Sequence, residues 1–258
     1  MISRIIIALI GIPAVYFFLT AGDYFRFTLL LIVSLIGQFE LYRMFSTDQK
    51  SSPYPEFFLG TIIMLASALW LEKGLAVSAG ISVMALGSMI VLKGFNENGY
   101  KRFSLGMVNI LYIPFCLSFF LILGHIKGGE VLFAVLAAVW ALDTGAYAVG
   151  MTFRGPALAP KISPKKTISG SVGGLFAVIL TVFLLSKTRF LPLGINKAIS
   201  LGISIGIFGQ LSDLFESVLK REAGIKDSGT ILGAHGGILD RIDSLIFVAP
   251  IAYLYLAL

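Results

Sequence analysis

Apolar stretches long enough to cross a lipid bilayer recur along this 258-residue chain, and no long polar insert separates them. They fall at roughly 3–20, 24–43, 57–71, 74–92, 104–124, 130–151, 171–187, 197–219 and 243–258. Backbone groups inside a bilayer have no water to bond. A segment that enters one must satisfy them within a helix or around a closed barrel. Barrel strands alternate apolar and polar residues, and these continuous runs do not. The expectation is an all-α integral membrane protein, a polytopic helical bundle of about nine transmembrane helices, with the third and fourth separated only by Glu72 and Lys73. Composition agrees: 57% of the residues are hydrophobic, 13% are charged and the mean hydropathy is +0.92. That leaves too little polar side chain to coat a soluble globule. Arg4 ahead of an apolar stretch has the look of a signal peptide, but no small-x-small cleavage site follows, so the segment reads as a retained helix. Cys116 is the single cysteine, which excludes an intrachain disulfide and disfavours thiolate metal chemistry.

Charge gives the orientation. Of the 20 lysines and arginines, six (Arg26, Lys73, Lys127, Lys187, Arg189 and Lys197) fall on one side of a nine-span arrangement and the rest on the other. The positive-inside rule then places the N-terminus and the loops at 152–170 and 220–242 in the cytoplasm of a bacterial-type inner membrane, with the C-terminus outside. The net charge of +6 finds its explanation in this bias and in anionic lipid headgroups. No compact basic domain or aromatic stacking module is present, so nucleic acid is not an expected partner. The chain reads as one membrane domain over 1–258, with helices in 1–129 mainly scaffold and catalytic helices and cytoplasmic loops in 130–258.

Polar residues concentrate where the last spans meet the cytoplasm. Gly206, Gln210, Asp213, Ser217 and Lys220 share one face of the eighth helix, a polar stripe leading into a loop with Arg221, Lys226, Asp227 and His235. Asp240 and Asp243 stand three apart where the ninth helix begins. A carboxylate at mid-membrane costs about 2.5–3.5 kcal/mol on insertion scales and so marks a polar interior with a partner. Carboxylates gathered without thiolates suit a hard cation such as Mg²⁺. Plainer readings stand beside these: Asp240 as a helix cap, Lys220 and Arg221 as interfacial anchors, His235 as a rim residue. A second loop, KISPKKTISGSVGG at 161–174, sets Ser163, Lys165, Lys166, Thr167 and Ser171 at a helix N-terminus, where amide groups and the dipole favour phosphate oxygens. Its glycines and Gly202–Gly206 also suit close helix packing. Asp143, in DTGAY at the end of the sixth span, brings a further carboxylate toward the same cavity, whereas His125 lies in an outer loop with little beside it.

The stretch from Ser217 to Asp243 resembles the signature of the phosphatidate cytidylyltransferase family, also called CDP-diacylglycerol synthases. The family pattern runs S-x-apolar-K-R, four residues, K-D-x-small, two residues, apolar, Pro or Gly, x-H-G-G-apolar-x-D-R-apolar-D. Ser217, Lys220, Arg221, Lys226, Asp227, Gly229, Gly233, His235, Gly236, Gly237, Asp240, Arg241 and Asp243 all match it. DTGAY at 143–147 and SPKKT at 163–167 are similar to further family motifs, and Ser169 departs from a Glu or Gln common there. The resemblance implies that CTP and phosphatidate give CDP-diacylglycerol and pyrophosphate, by attack of the lipid phosphate on the α-phosphorus. It implies Mg²⁺ on Asp213, Asp240 and Asp243, with a second cation left open. Lys220, Arg221, Lys226 and Arg241 would clamp phosphates, and Ser163, Lys165, Lys166 and Thr167 would receive the lipid phosphate or pyrophosphate. Asp143 would orient His235 or join the metal shell, and Gly236 and Gly237 would let the backbone pass close to the nucleotide. Membrane lipids and a second copy of the chain are the further partners implied. Two other classes fit parts of the pattern: a CTP-dependent polyprenol kinase, and a cation-coupled transporter, which would need charges at midplane rather than in loops.

Overall fold

A computed structural model describes residues 2–45, 53–93, 99–231 and 236–258. Helices dominate it. In chain order they are α1 (Ile2–Thr20), α2 (Asp23–Phe45), α3 (Tyr54–Lys93), α4 (Gly99–Ile110), α5 (Cys116–Lys127), α6 (Gly129–Phe153), α7 (Ile168–Leu185), α8 (Ile195–Glu222) and α9 (Leu239–Leu256). Among the described residues, six helical stretches are long and apolar enough to cross a membrane: Asp23–Phe45, Tyr54–Leu92, Gly99–Lys127, Gly129–Phe153, Ile168–Leu185 and Ile195–Glu222. An all-α membrane protein is thus supported, while the count of about nine is not established by length and composition. The remaining helices fall short for visible reasons. The described apolar part of α1 is only Leu9–Thr20, and α9 opens on the charged residues Asp240, Arg241 and Asp243.

Three irregularities shape the bundle. Inside α3, Leu71 has φ 51° and ψ −132°, so the rod divides into two arms. Eight residues of straight helix span about 12 Å, yet a Cβ built on Gly74 would collide with the Ala66 carbonyl, so the chain folds back at this point. The expected break at Glu72 and Lys73 therefore lies one residue earlier, and Tyr253 of α9 donates its hydroxyl proton to the Glu72 carboxylate beside it. Between α4 and α5, Leu111–Phe115 forms a π-helical turn containing Pro114, which has no N–H to give to the preceding turn. Between α6 and α7 the chain leaves helix altogether: β1 (Ala157–Ala159) and β2 (Ser163–Thr167) form a two-stranded antiparallel hairpin. Sequence alone suggested only a polar loop there. Pro156, Pro160 and Pro164 favour extended backbone, and Arg154 at φ 53° ends α6 abruptly.

The core centres on α5, where Leu117, Ile122 and Leu123 are completely buried beneath α2, α3, α6 and α9. The last four helices pack in sequence order, α6 on α7, α7 on α8 and α8 on α9. The α6–α7 contact is nearly backbone to backbone. A Cβ on Gly170 would stand 2.7 Å from the Ala146 carbonyl oxygen, and one on Gly174 would stand 2.8 Å from that of Leu142. Lipid gives helices no hydrophobic reason to associate, so close van der Waals approach through small residues supplies the attraction. The same holds on α8, where a Cβ on Gly202 would lie 2.8 Å from Ile179 Cα. Gly174→Val is therefore expected to separate α6 from α7 and to destabilise the purified protein by about 1–3 kcal/mol, seen as a lower thermal midpoint in detergent.

Candidate active site

Each of the last four helices brings a polar end to one side of the bundle. Helix α7 starts at Thr167, whose side chain accepts the Gly170 N–H at 3.1 Å, so this residue serves as the helix cap. Helix α8 stops at Glu222 because Gly224 turns the chain at φ +70°, with the Ile225 N–H on the Lys220 carbonyl (2.9 Å) and the Gly224 N–H on that of Arg221 (3.0 Å). Helix α9 begins after Gly236, at φ +79°. Between α6, the β-hairpin, α7, α8 and α9 lies a cavity of about 610 Å³.

Ten of the polar residues singled out from the sequence line that cavity: Asp143, Ser163, Lys165, Lys166, Thr167, Ser171, Gln210, Asp213, Asp240 and Asp243. Its remaining wall is mostly apolar, including Leu142, Ala146, Met151 and Leu158. Lys166 of the hairpin pairs with Asp213 of α8. Asp143 of α6 accepts the Ser244 hydroxyl of α9 at 3.2 Å. Ser212 of α8 donates to the Asp243 carbonyl, and the Phe247 N–H returns to the same hydroxyl at 3.3 Å. Ser171 bonds Gln210, whose amide also donates to the Gly206 carbonyl at 3.0 Å. The polar stripe of α8 is thereby stitched to the start of α7.

The carboxylates are grouped differently from the sequence expectation. Asp213, Glu216 and Asp243 each offer an oxygen within 4.8 Å of the others. Glu216 is fully buried, and its Oε1 has no hydrogen-bond partner among the described residues. A trio of oxygen donors from two helices, one carrying an orphaned buried oxygen, fits a hard divalent cation. Asp240 does not stand in that group, and both of its oxygens are engaged elsewhere. Oδ1 accepts Lys220 at 2.7 Å, and Oδ2 accepts the Ser228 N–H (3.0 Å), the Ser228 hydroxyl (3.0 Å) and the Gly237 N–H (2.8 Å). Asp240 therefore braces the chain ahead of α9, since Ser228 and Gly237 both precede that helix. Glu216, which stands with Asp213 and Asp243, lies three residues after Asp213 and four before Lys220 on one helical face.

Other residues lie away from the cavity wall. Lys220, with a side chain only 12% exposed, is held between Glu216 and Asp240. Arg221 donates Nε to the Ile162 carbonyl at 3.0 Å and so fastens the end of α8 to the hairpin turn. Lys226, Asp227 and Arg241 are exposed, and Ser217 is half-buried on α8. A Cβ on Gly237 would strike Ser228 and the carboxylate of Glu40, and one on Gly236 would stand 2.6 Å from Asp240. The close approaches at both glycines are therefore to the protein's own carboxylates. His235 lies outside the described residues, and His125 pairs with Asp23 at 3.0 Å, at the opposite end of the bundle. Glu216, Glu40 and Ser228 escaped the sequence reading. The spacing of Glu216 from Asp213 and Lys220 was a usable signal, as was a carboxylate at position 40 inside an apolar run.

Fold and site together define a class: a polytopic membrane protein with an acidic and basic cavity, part apolar, at one end of its helices. The chain belongs to the Cytidylyltransferase family, which it matches over residues 2–258. It is 32% identical over 254 residues to the phosphatidate cytidylyltransferase of Bacillus subtilis, covering 95% of this chain and 93% of that protein. The Brucella suis protein of the same name is 31% identical over 98% of this chain and 92% of its own length. That of Staphylococcus aureus is 48% identical over 123 residues, 47% of this chain and 46% of that one.

Lys220 neutralises two carboxylates, one of them fully buried, so removing its charge strands both. Lys220→Met is expected to destabilise the protein by on the order of 3 kcal/mol, whereas Lys226→Met at an exposed loop position leaves the thermal midpoint within error.

Proposed function

We propose that this protein is a phosphatidate cytidylyltransferase, making CDP-diacylglycerol and pyrophosphate from CTP and phosphatidate. The observation that carries the reading is the cavity itself, in a chain of this family. It brings Asp213 and Asp243, which group with the buried Glu216, together with Lys165 and Lys166, and much of its remaining wall is apolar. A soluble triphosphate needs the first part and a lipid phosphate needs both.

In the reaction, a phosphate oxygen of phosphatidate attacks the α-phosphorus of CTP, the bond from that phosphorus to the bridging oxygen breaks, and pyrophosphate leaves with the electron pair. The substrates supply nucleophile and leaving group, so catalysis is alignment plus neutralisation of crowded negative charge. Lys165 and Lys166 bring mobile cationic donors to phosphate oxygens. Lys166 would exchange its partner Asp213 for substrate, leaving the carboxylate to the cation. Thr167 caps α7, whose N-terminal end lies at the cavity, where an anion is favoured. Arg221 keeps the lysine-bearing hairpin against α8. Asp213, Glu216 and Asp243 would hold Mg²⁺, which supplies charge neutralisation on the triphosphate and the departing pyrophosphate. Asp143, fixed by Ser244, lies at the edge of that carboxylate group.

Purified protein in detergent is expected to release pyrophosphate from CTP only when phosphatidate is present, and less after chelation of divalent cations. Release of CDP instead would identify a lipid kinase, and neither product would return the chain to the transporters. Asp243→Asn and Glu216→Gln should each lower turnover at least a hundredfold, and His125→Ala should leave it unchanged.

For the membrane arrangement, the reading is nine crossings: α1, α2, the two arms of α3, the continuous α4–α5 rod, α6, α7, α8 and α9. The excess of lysine and arginine beside the cavity supports a cytoplasmic site. The test uses single cysteines in a Cys116→Ser background. Cysteine at Lys165 or Lys226 should resist an impermeant maleimide in intact cells, and cysteine at Arg189 should react. The reverse pattern would overturn the orientation.

A further inference from the structure

The carboxylate of Glu40 is buried to 2% exposure near the end of α2, far in sequence from every residue of the cavity. Among the described residues no lysine or arginine lies within ion-pair distance of it. Its charge is met instead by donors from one short part of the chain. Oε1 accepts the Ile238 N–H at 3.0 Å, and Oε2 accepts the Leu239 N–H at 2.8 Å and the Ser228 hydroxyl at 3.1 Å. Ile238 is the N-cap residue of α9 and Leu239 its first helical residue, and the Ile238 side chain supplies no cap. Glu40 thus supplies that cap from another helix, where free N–H groups and the dipole favour an anion.

The contacts continue beyond the cap. The Ser228 hydroxyl that faces Glu40 also lies 3.0 Å from Asp240 Oδ2 and accepts the Asp240 N–H at 3.3 Å. One hydroxyl proton therefore serves two carboxylates. Asp240 in turn holds Lys220, and Lys220 holds Glu216 of the carboxylate trio. The glycines beside Glu40 keep this path short: a Cβ on Gly229 would stand 2.6 Å from Glu40 Oε1.

We propose that Glu40 is a positioning residue for the active site, acting through Ser228 to set Asp240 at the cavity and, through it, the Lys220 that pairs with Glu216. The inference rests on the function proposed above. The first helices then do more than support the last four, because one of their side chains determines where the reacting end of α8 and α9 lies. Glutamine cannot replace it. Both oxygens of Glu40 face backbone N–H groups, so either orientation of the amide points NH₂ at a donor. A misplacement of about 1 Å in such a site costs on the order of a hundredfold in rate.

The experiment compares full-length wild type, Glu40→Gln, Ser228→Ala and the double variant in lipid nanodiscs. Pyrophosphate release is measured per folded molecule, and hydrogen exchange is followed by mass spectrometry over 236–245. Positioning predicts a kcat at least tenfold lower for Glu40→Gln with KM for CTP changed less than threefold. It also predicts faster exchange over 236–245 alone, and a double variant no worse than the poorer single. Ser228→Ala leaves the cap intact and tests the path if Glu40→Gln does not fold; its kcat should fall at least threefold. A kcat within twofold of wild type in Ser228→Ala, a loss carried wholly by KM, or strictly multiplicative losses in the double variant would overturn the inference. A wild type inert toward CTP and phosphatidate would overturn the proposed function instead, and the exchange arm would still decide whether Glu40 orders the start of α9.

Discussion

Lys220 lies between Glu216 of α8 and Asp240 of α9, and the polar end of the bundle is organised around that double pairing. Charges placed among apolar helices must be compensated or they are not tolerated. Once Lys220 is held in this way, Glu216 can remain fully buried beside Asp213 and Asp243, and Asp240 can take backbone donors from both sides of its loop. The cavity owes its acidic floor to this arrangement.

The apolar contacts make the pairing possible. Helices α6, α7 and α8 approach through glycine, which brings Asp143, the cap of α7 and Gln210 to the same level. On the other flank, Tyr112 of the π-helical turn stacks edge-on against Phe215 at 5.0 Å and Phe247 at 5.6 Å, packing the apolar faces of α8 and α9 from behind. An irregular turn made by proline therefore supports the helices that carry the carboxylates. The β-hairpin closes the remaining side and is tied to α8 by Arg221 and by the Lys166–Asp213 pair. Basic residues that looked equivalent in sequence thus differ in role. Lys165 and Lys166 face the cavity, Lys220 balances carboxylates, and Arg221 fastens a loop.

Much was legible without coordinates. Helical membrane character followed from run length, and the family followed from a motif with many fixed polar positions. The gathering of Asp143, the 163–167 loop, Asp213 and Asp243 was also foreseen, because each lies where an apolar span meets a polar loop. The hairpin was not foreseen, since three prolines and two short strands carry no clear period. The exchange of Asp240 for Glu216 among the grouped carboxylates was not foreseen either. Spacing puts Asp240 and Glu216 equally near the site, and only the position of Ser228 and Gly237 shows which of them is already occupied.

The amino-acid sequence by itself determined that this chain is helical and membrane-bound, and that its carboxylates and lysines concentrate where its last spans end. Those properties depend on local periodicity, hydropathy and motif spacing, which are written residue by residue. Tertiary structure decided which carboxylates stand together, which cation each one meets, and that Glu40 of α2 reaches the start of α9. Such pairings join residues nearly two hundred positions apart, and they depend on helix packing distances that no local pattern encodes.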